Sequence, residues 1–252
     1  MAPSKTILIF GGNGKTARAL TPLLIGQSHL VHSIIRNPDQ SSGLEELGAK
    51  AIIQDLEQAS VEDLTSTIES IKPDVLVWCA QGTYGVPGGA EAIDHQAAVR
   101  SFDAAAAAGV KRYISVSALD VRDRANKPTP PWYSEQDKQG SERLWKVLEQ
   151  YMEAKLKADR ELASGNKKRG LSWTIVRPGR LVDGAGSGRC EAGRVHFGKP
   201  ISREDVARVV LACIEKEGTA ELAFDVVGGD IDVNEAVRNV AEKKEDCFEG
   251  FH

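Results

Sequence analysis

Residues 7–17 read Ile7-Leu8-Ile9-Phe10-Gly11-Gly12-Asn13-Gly14-Lys15-Thr16-Ala17. Four apolar residues make a buried strand, a glycine-rich turn follows, and a helix begins near Lys15. Gly11 suits the tight turn directly after the strand, and Gly14 lets the backbone approach a pyrophosphate. Ala17 sits where a small residue allows the helix to pack close to the sheet. The helix start then offers free N–H groups and the positive end of its dipole to phosphates. Asn13, Lys15 and Thr16 belong to the same turn and join the glycines as candidate dinucleotide contacts. A glycine turn also occurs as a plain connection. The context decides here: a strand before it, and apolar positions Ala19, Leu20, Leu23 and Leu24 at helical spacing after it.

Outward from this stretch, strand-like and helix-like runs alternate to the end of the chain, the pattern of a parallel sheet covered by helices. Strands are predicted at 6–10, 30–35, 51–53, 75–79, 113–116 and 172–176. Helices are predicted to start near Lys15, Leu44, Val61, Glu91 and Glu135, and the alanine-rich run 101–108 reads as a close-packed helix. Beyond Pro178 come a glycine-rich stretch (184–198), a helix from Arg203, a strand at 222–227 and a last helix from Val233. The expected fold class is α/β, a doubly wound parallel sheet of the Rossmann type. Residues 1–252 are expected to form a single domain whose last third, from about 178, builds a small substrate-side lobe.

Composition narrows the function. The 252 residues carry a net charge of −4, with 41% hydrophobic and 27% charged residues, ordinary values for a globular enzyme. Nothing points to nucleic acid as a partner, and no apolar run approaches the ~20 residues that span a bilayer. Residues Met1–Lys5 lead into the first strand without a signal-peptide pattern. Cys79, Cys190, Cys213 and Cys247 have neither paired nor metal-like spacing. The expectation is a cytoplasmic protein with no metal, acting on a small molecule.

In dinucleotide folds the end of the second strand meets the adenosine ribose. A carboxylate there binds the 2′-hydroxyl of NAD, whereas an arginine accommodates the 2′-phosphate of NADP. This chain has Ile34-Ile35-Arg36-Asn37-Pro38, with no carboxylate before Asp39. Arg36, aided by Lys15, therefore points to NADP(H), because a guanidinium binds phosphate through parallel charge-assisted hydrogen bonds; a surface arginine capping a strand is the plainer alternative. Asp55 and Leu56 follow the third strand, where an adenine edge would lie. Ala80-Gln81-Gly82 form a small-residue turn after the fourth, along the cofactor path.

Tyr151 and Lys155 stand four residues apart on a helical stripe with Leu144, Leu148, Ala158 and Leu162. A lysine on an apolar stripe is rare without a partner. Beside a tyrosine it favours the phenolate and is expected to lower the phenol pKa toward a range useful for proton transfer. A snorkelling lysine above a packing tyrosine is the alternative. Ser117, at the end of the fifth strand, is placed to hydrogen-bond a substrate oxygen.

Together these residues resemble the NmrA-like, NAD(P)-binding group of atypical short-chain dehydrogenases/reductases. The matching marks are the turn Gly11–Ala17, Arg36-Asn37-Pro38, Asp55-Leu56, the run Gly109–Tyr113, Tyr151 with Lys155, the run Thr174–Gly179, and Ile201–Ala207. They span nearly the whole chain. The resemblance implies bound NADP(H), Tyr151 and Lys155 near the nicotinamide, and Pro178 on a loop lining the cofactor. Ala17 replaces the usual third glycine, and an insertion at 122–137 separates Ser117 from Tyr151. The implied activity is an NADPH-dependent oxidoreductase acting on a small carbonyl or quinone-like substrate. An NADP(H)-binding redox sensor without turnover, and a non-redox isomerase or epimerase, are the alternatives. Five glycines in 184–198 raise the entropic cost of ordering, so this stretch is expected to be a mobile lid bringing Cys190, Arg194 and His196 to the substrate.

Overall fold

The computed structural model describes residues 3–82 and 85–252. Its first element is β1 (Thr6–Phe10), whose side chains alternate between the two faces of the sheet: Ile7 and Ile9 join one core, Leu8 and Phe10 the other. All four are fully buried, as expected of a central strand covered on both sides. The chain then turns at Gly11, whose φ of +77° lies in the left-handed region. A Cβ there would sit 2.5 Å from the Cα of Ala80, so both conformation and space demand glycine.

Helix α1 (Lys15–Gly26) leads to β2 (Leu30–Ile35), short α2 (Ser41–Glu45) and β3 (Lys50–Ile53). Next come α3 (Val61–Ile71), β4 (Val75–Trp78), a π-helical segment (Glu91–Ala97) running into α4 (Ala98–Ala107), and β5 (Arg112–Val116). The long α5 (Glu135–Ala163) loses helical dihedrals at Leu148 (φ −118°, ψ 23°), which divides it just before Tyr151. The chain continues through β6 (Ser172–Pro178), β7 (Leu181–Val182), β8 (Arg189–Gly193), β9 (Ile201–Ser202), α6 (Arg203–Glu215), β10 (Leu222–Gly228), β11 (Ile231–Asp232) and α7 (Val233–Lys243).

Among the described residues the main sheet has the order β11-β8-β10-β6-β5-β4-β1-β2-β3. It is parallel from β3 to β10, and β8 and β11 are antiparallel additions at one edge. This is the doubly wound Rossmann arrangement, which places a crevice at the carboxyl ends of β1 and β4, where the strand order reverses. One face carries α1, α6 and α7, the other α3, α4 and α5. No helix among the described residues is long and apolar enough to cross a membrane.

The last third is continuous with the rest, because β8, β10 and β11 extend the main sheet and α6 packs beside α1. One expectation needs correction: 184–198 is not a free loop. Its middle is β8, with Cys190 fully buried against α6, and the Asp205 carboxylate accepts the N–H groups of Ser187 and Gly188 at 2.9 and 2.7 Å. Glycine content raised the entropy of this stretch, but sheet hydrogen bonds and a buried carboxylate outweigh it. Of the three side chains expected at the substrate, Cys190 is in the core, the His196 ring bonds Asp137 at 2.7 Å, and Arg194 lies over the Trp132 ring.

Candidate functional site

Helix α1, like α2 and the π-helical segment leading into α4, has no side-chain cap at its first turn. Ser60, Ser134, Ser202 and Asp232 cap α3, α5, α6 and α7 with their side chains, whereas Gly14 leaves α1 without one. The first N–H groups of α1 are therefore open to an external acceptor. They face a cleft of about 1030 Å³ along the carboxyl ends of β1, β2 and β4.

The expected cofactor residues converge on this cleft. Gly11, Asn13, Gly14, Lys15 and Thr16 form its floor, and Arg36 lies at the end of β2. Asp55 and Leu56 contribute from the loop after β3, and Ala80, Gln81 and Gly82 from the loop after β4. Arg36 is exposed and makes no ion pair among the described residues. At the opposite rim, Asp183 joins Lys15 (2.6 Å) to Arg203 (2.5 Å), and both cations line the cleft. Sequence reasoning did not single out Arg203, although it stands in the quoted run Ile201–Ala207. It also missed the apolar wall of Val86, Pro87, Ile93 and Leu181.

Lys155, Pro178, Tyr151 and Ser117 do not line the cleft. Lys155 lies behind the wall, 3% exposed, donating to the Val116 carbonyl (3.2 Å) and paired with Asp94 at 3.1 Å. Burial works to lower its pKa, but Asp94, Tyr151 and Asp159 outweigh burial and raise it, so Lys155 is a permanent cation. Its ammonium lies 5.7 Å from the centre of the half-buried Tyr151 ring.

The expected activation of the phenol is not what the surroundings produce. Burial pushes the Tyr151 pKa up, Lys155 pulls it down, and Asp94 and Asp159 push it up again, for a net rise to about 12. Burial is the largest of these influences and outweighs the pull of Lys155. The Ser117 hydroxyl likewise donates to Asp159 at 2.5 Å instead of facing the cleft. Burial raises the Asp159 pKa to about 6 against the opposing pull of Ser117, Arg177 and Lys155. Asp159 could have been found in the sequence, one helical turn beyond Lys155 on the same stripe. Pro178 ends β6 with its carbonyl bound to the Leu119 N–H (3.0 Å), short of the loop position expected for it.

A family model described as NAD(P)H-binding matches residues 11–217, from the glycine turn through α6. The chain belongs to this NAD(P)H-binding family. The Bacillus subtilis protein named "uncharacterized sugar epimerase YhfK" is 31% identical over 93% of this chain and 99% of its own length. A solved structure from Bacillus halodurans, provisionally described as an NAD-dependent epimerase/dehydratase, superposes with a TM-score of 0.75. It is 28% identical and covers 94% of this chain and all of its own. An anaerobilin reductase of Escherichia coli shares the fold of this family member, at a TM-score of 0.70 and 21% identity over 90% of this chain and 98% of that one.

Proposed function

We propose that this protein is an NADP(H)-dependent oxidoreductase of the short-chain dehydrogenase/reductase type, NmrA-like, acting on a small apolar carbonyl or quinone. One observation carries the reading: the open first turn of α1 and the unpaired Arg36 line the same cleft. The two sites fit the two charged parts of one ligand, a pyrophosphate at a helix start and a 2′-phosphate at the end of β2. Bound there, the nicotinamide supplies hydride chemistry, and the protein orients it and excludes water. The wall of Val86, Pro87, Ile93 and Leu181 offers apolar surface, which favours a flat or compact apolar substrate.

Tyr151, half-buried beside Lys155 and outside the lining of the cleft, is assigned the proton-donor role in this reading on the resemblance to short-chain dehydrogenases/reductases alone. A phenol whose pKa stands near 12 stays protonated at neutral pH, as a donor to a developing alkoxide must. Lys155 holds a positive charge beside it and carries no proton of its own to the substrate. The test is NADPH oxidation by the purified protein with a panel of small aldehydes, ketones and quinones. Turnover that falls about a hundredfold in Tyr151→Phe, with NADPH binding intact, supports the assignment.

The name of the Bacillus subtilis relative favours a second reading, an epimerase that uses nicotinamide transiently. Net NADPH oxidation separates the two. Binding without consumption by any substrate leaves the sensor reading.

A further inference from the structure

Asp94 is fully buried within the π-helical segment before α4, and its two oxygens face different elements. Oδ2 accepts the backbone N–H of Gly82 at 2.8 Å, and Oδ1 lies 3.1 Å from the Lys155 ammonium. Gly82 belongs to the cleft wall, as does Ile93 beside Asp94. A Cβ at Gly82 would collide with the Gly89 carbonyl, so this part of the wall lies flat on the chain entering the π-helical segment. A π-helical turn widens the helix and re-aims side chains, and such turns recur at functional sites.

The simpler account makes Asp94 a counter-ion and nothing more, since a buried ammonium requires one. The second oxygen speaks against that account. It is spent on neither the helix backbone nor another side chain, but on an N–H of the cleft wall.

We propose that Asp94 is a positioning residue of the dinucleotide site, clamping the Gly82 wall and the Lys155 cation through one carboxylate so that nucleotide affinity depends on both. This rests on the nucleotide-binding reading above and deepens it. Neutralising Asp94 removes the carboxylate 3.1 Å from the buried Lys155 ammonium and leaves it only Asp159 as counter-charge, so that it pulls on its surroundings; removing the lysine charge as well relieves that pull. The two substitutions are therefore coupled.

The full chain is titrated with NADPH, followed by nucleotide fluorescence, as wild type, Asp94→Asn, Lys155→Met and the double variant. Hydrogen exchange at the Gly82 amide is measured in each. Asp94→Asn is expected to weaken NADPH binding about tenfold, and the double variant to bind within about threefold of the weaker single one. Asp94→Ala, which removes the acceptor, is expected to speed exchange at Gly82, and Asp94→Asn, which keeps an amide oxygen there, to restore most of the protection.

Independent, additive losses overturn the proposal. So does an Asp94→Asn variant that melts earlier yet binds NADPH as the wild type does. If the single variant does not fold, the charge-neutral double variant and the slowing of Gly82 exchange by NADPH in the wild type decide it. A wild type that binds neither NADPH nor NADH removes the nucleotide reading itself. Gly82 exchange indifferent to Asp94→Ala removes the clamp alone.

Discussion

Arg36 and Arg177 both stand at the carboxyl ends of parallel strands, yet the protein treats them in opposite ways. Arg36, just past β2, is exposed and unpaired among the described residues. Arg177, in β6, is 1% exposed, 2.9 Å from Asp225 and bonded to the Cys247 carbonyl at 3.1 Å. Around Arg36 the cleft carries Lys15 and Arg203 together with the carboxyl groups of Asp55 and Glu57. Around Arg177 the layer beneath α5 supplies its own carboxyl groups, Asp159 and Asp225, with Asp120 bound to Arg122 and Tyr133 nearby. In the proposed function the first region is completed by a ligand, whereas the second is filled by the protein's own groups. Substitutions in the first should act on binding, and those in the second on stability and its pH dependence.

The largest effect is expected where the open region touches the backbone. Gly11→Val forces a β-branched residue to a φ of +77° and drives its Cβ against Ala80. Strain of about 1–3 kcal/mol and displacement of the wall should reduce NADPH affinity about a hundredfold or more. A melting curve alongside the titration separates lost binding from lost folding. Wild-type affinity in this variant would break the assignment of the cleft.

Arg36→Ala comes next. Losing one charge-assisted contact to a phosphate costs about 1.5–3 kcal/mol, roughly a ten- to hundredfold weakening of NADPH binding. NADH, which lacks the 2′-phosphate, should bind the variant and the wild type alike. An equal loss for both nucleotides would instead make Arg36 a general electrostatic or structural residue.

The closed region makes a different prediction, on pH. Burial raises the Asp225 pKa to about 7, Arg177 pulling against it, and the Asp159 pKa to about 6. Both folded-state values lie above the ordinary 3.8, so the folded protein binds protons more tightly than the unfolded chain. The stabilisation from these protons is fully present below pH 3.8 and is lost as pH rises through 6 and 7. Stability should therefore fall between about pH 4 and 7, by an amount on the order of a few kcal/mol, and melting temperature with it. Asp225→Asn should flatten that slope while leaving NADPH affinity nearly unchanged. A variant with the wild-type slope would move the titration elsewhere.

The same contrast explains what the sequence made legible. The glycine turn, Arg36, Asp55 and the 80–82 turn were readable because each is a local pattern at the end of a strand, and all line one cleft. The layer beneath α5 is built from single residues brought together by pairing of β5, β6 and β10. Spacing along the chain cannot show that Ser117 meets Asp159, 42 residues away, or that Asp94 answers Lys155. The Tyr151–Lys155 stripe was correct as helix geometry. Its chemistry was read from the lysine charge alone, and burial of the phenol, with Asp94 and Asp159 adding to it, reversed the sign of the shift. The 184–198 stretch failed for a related reason: five glycines describe the freedom of the isolated chain, and the carboxylate of Asp205 that removes it lies beyond the stretch.

The smallest expected effect lies at the boundary between the two regions. Asp183 joins Lys15 and Arg203 across the rim, as an internal anion where the rest of the cleft has none engaged with its cations. Its carboxyl is held below its ordinary pKa by the hydrogen bond from Lys15 and by Arg203, so it is ionised throughout the neutral range. Exposed ion pairs contribute little to stability, and Asp183→Asn should leave the melting temperature unmoved. Binding is another matter, because a dinucleotide phosphate entering at the first turn of α1 competes with Asp183 for Lys15. Neutralising the carboxylate should tighten NADPH binding by about two- to fivefold at low salt. The gain should shrink as salt rises, since screening weakens exposed pairs over about 8 Å at physiological ionic strength. A loss of affinity in this variant would show that Asp183 orients the two cations for the ligand, and the rim would then belong with the self-satisfied region around Arg177.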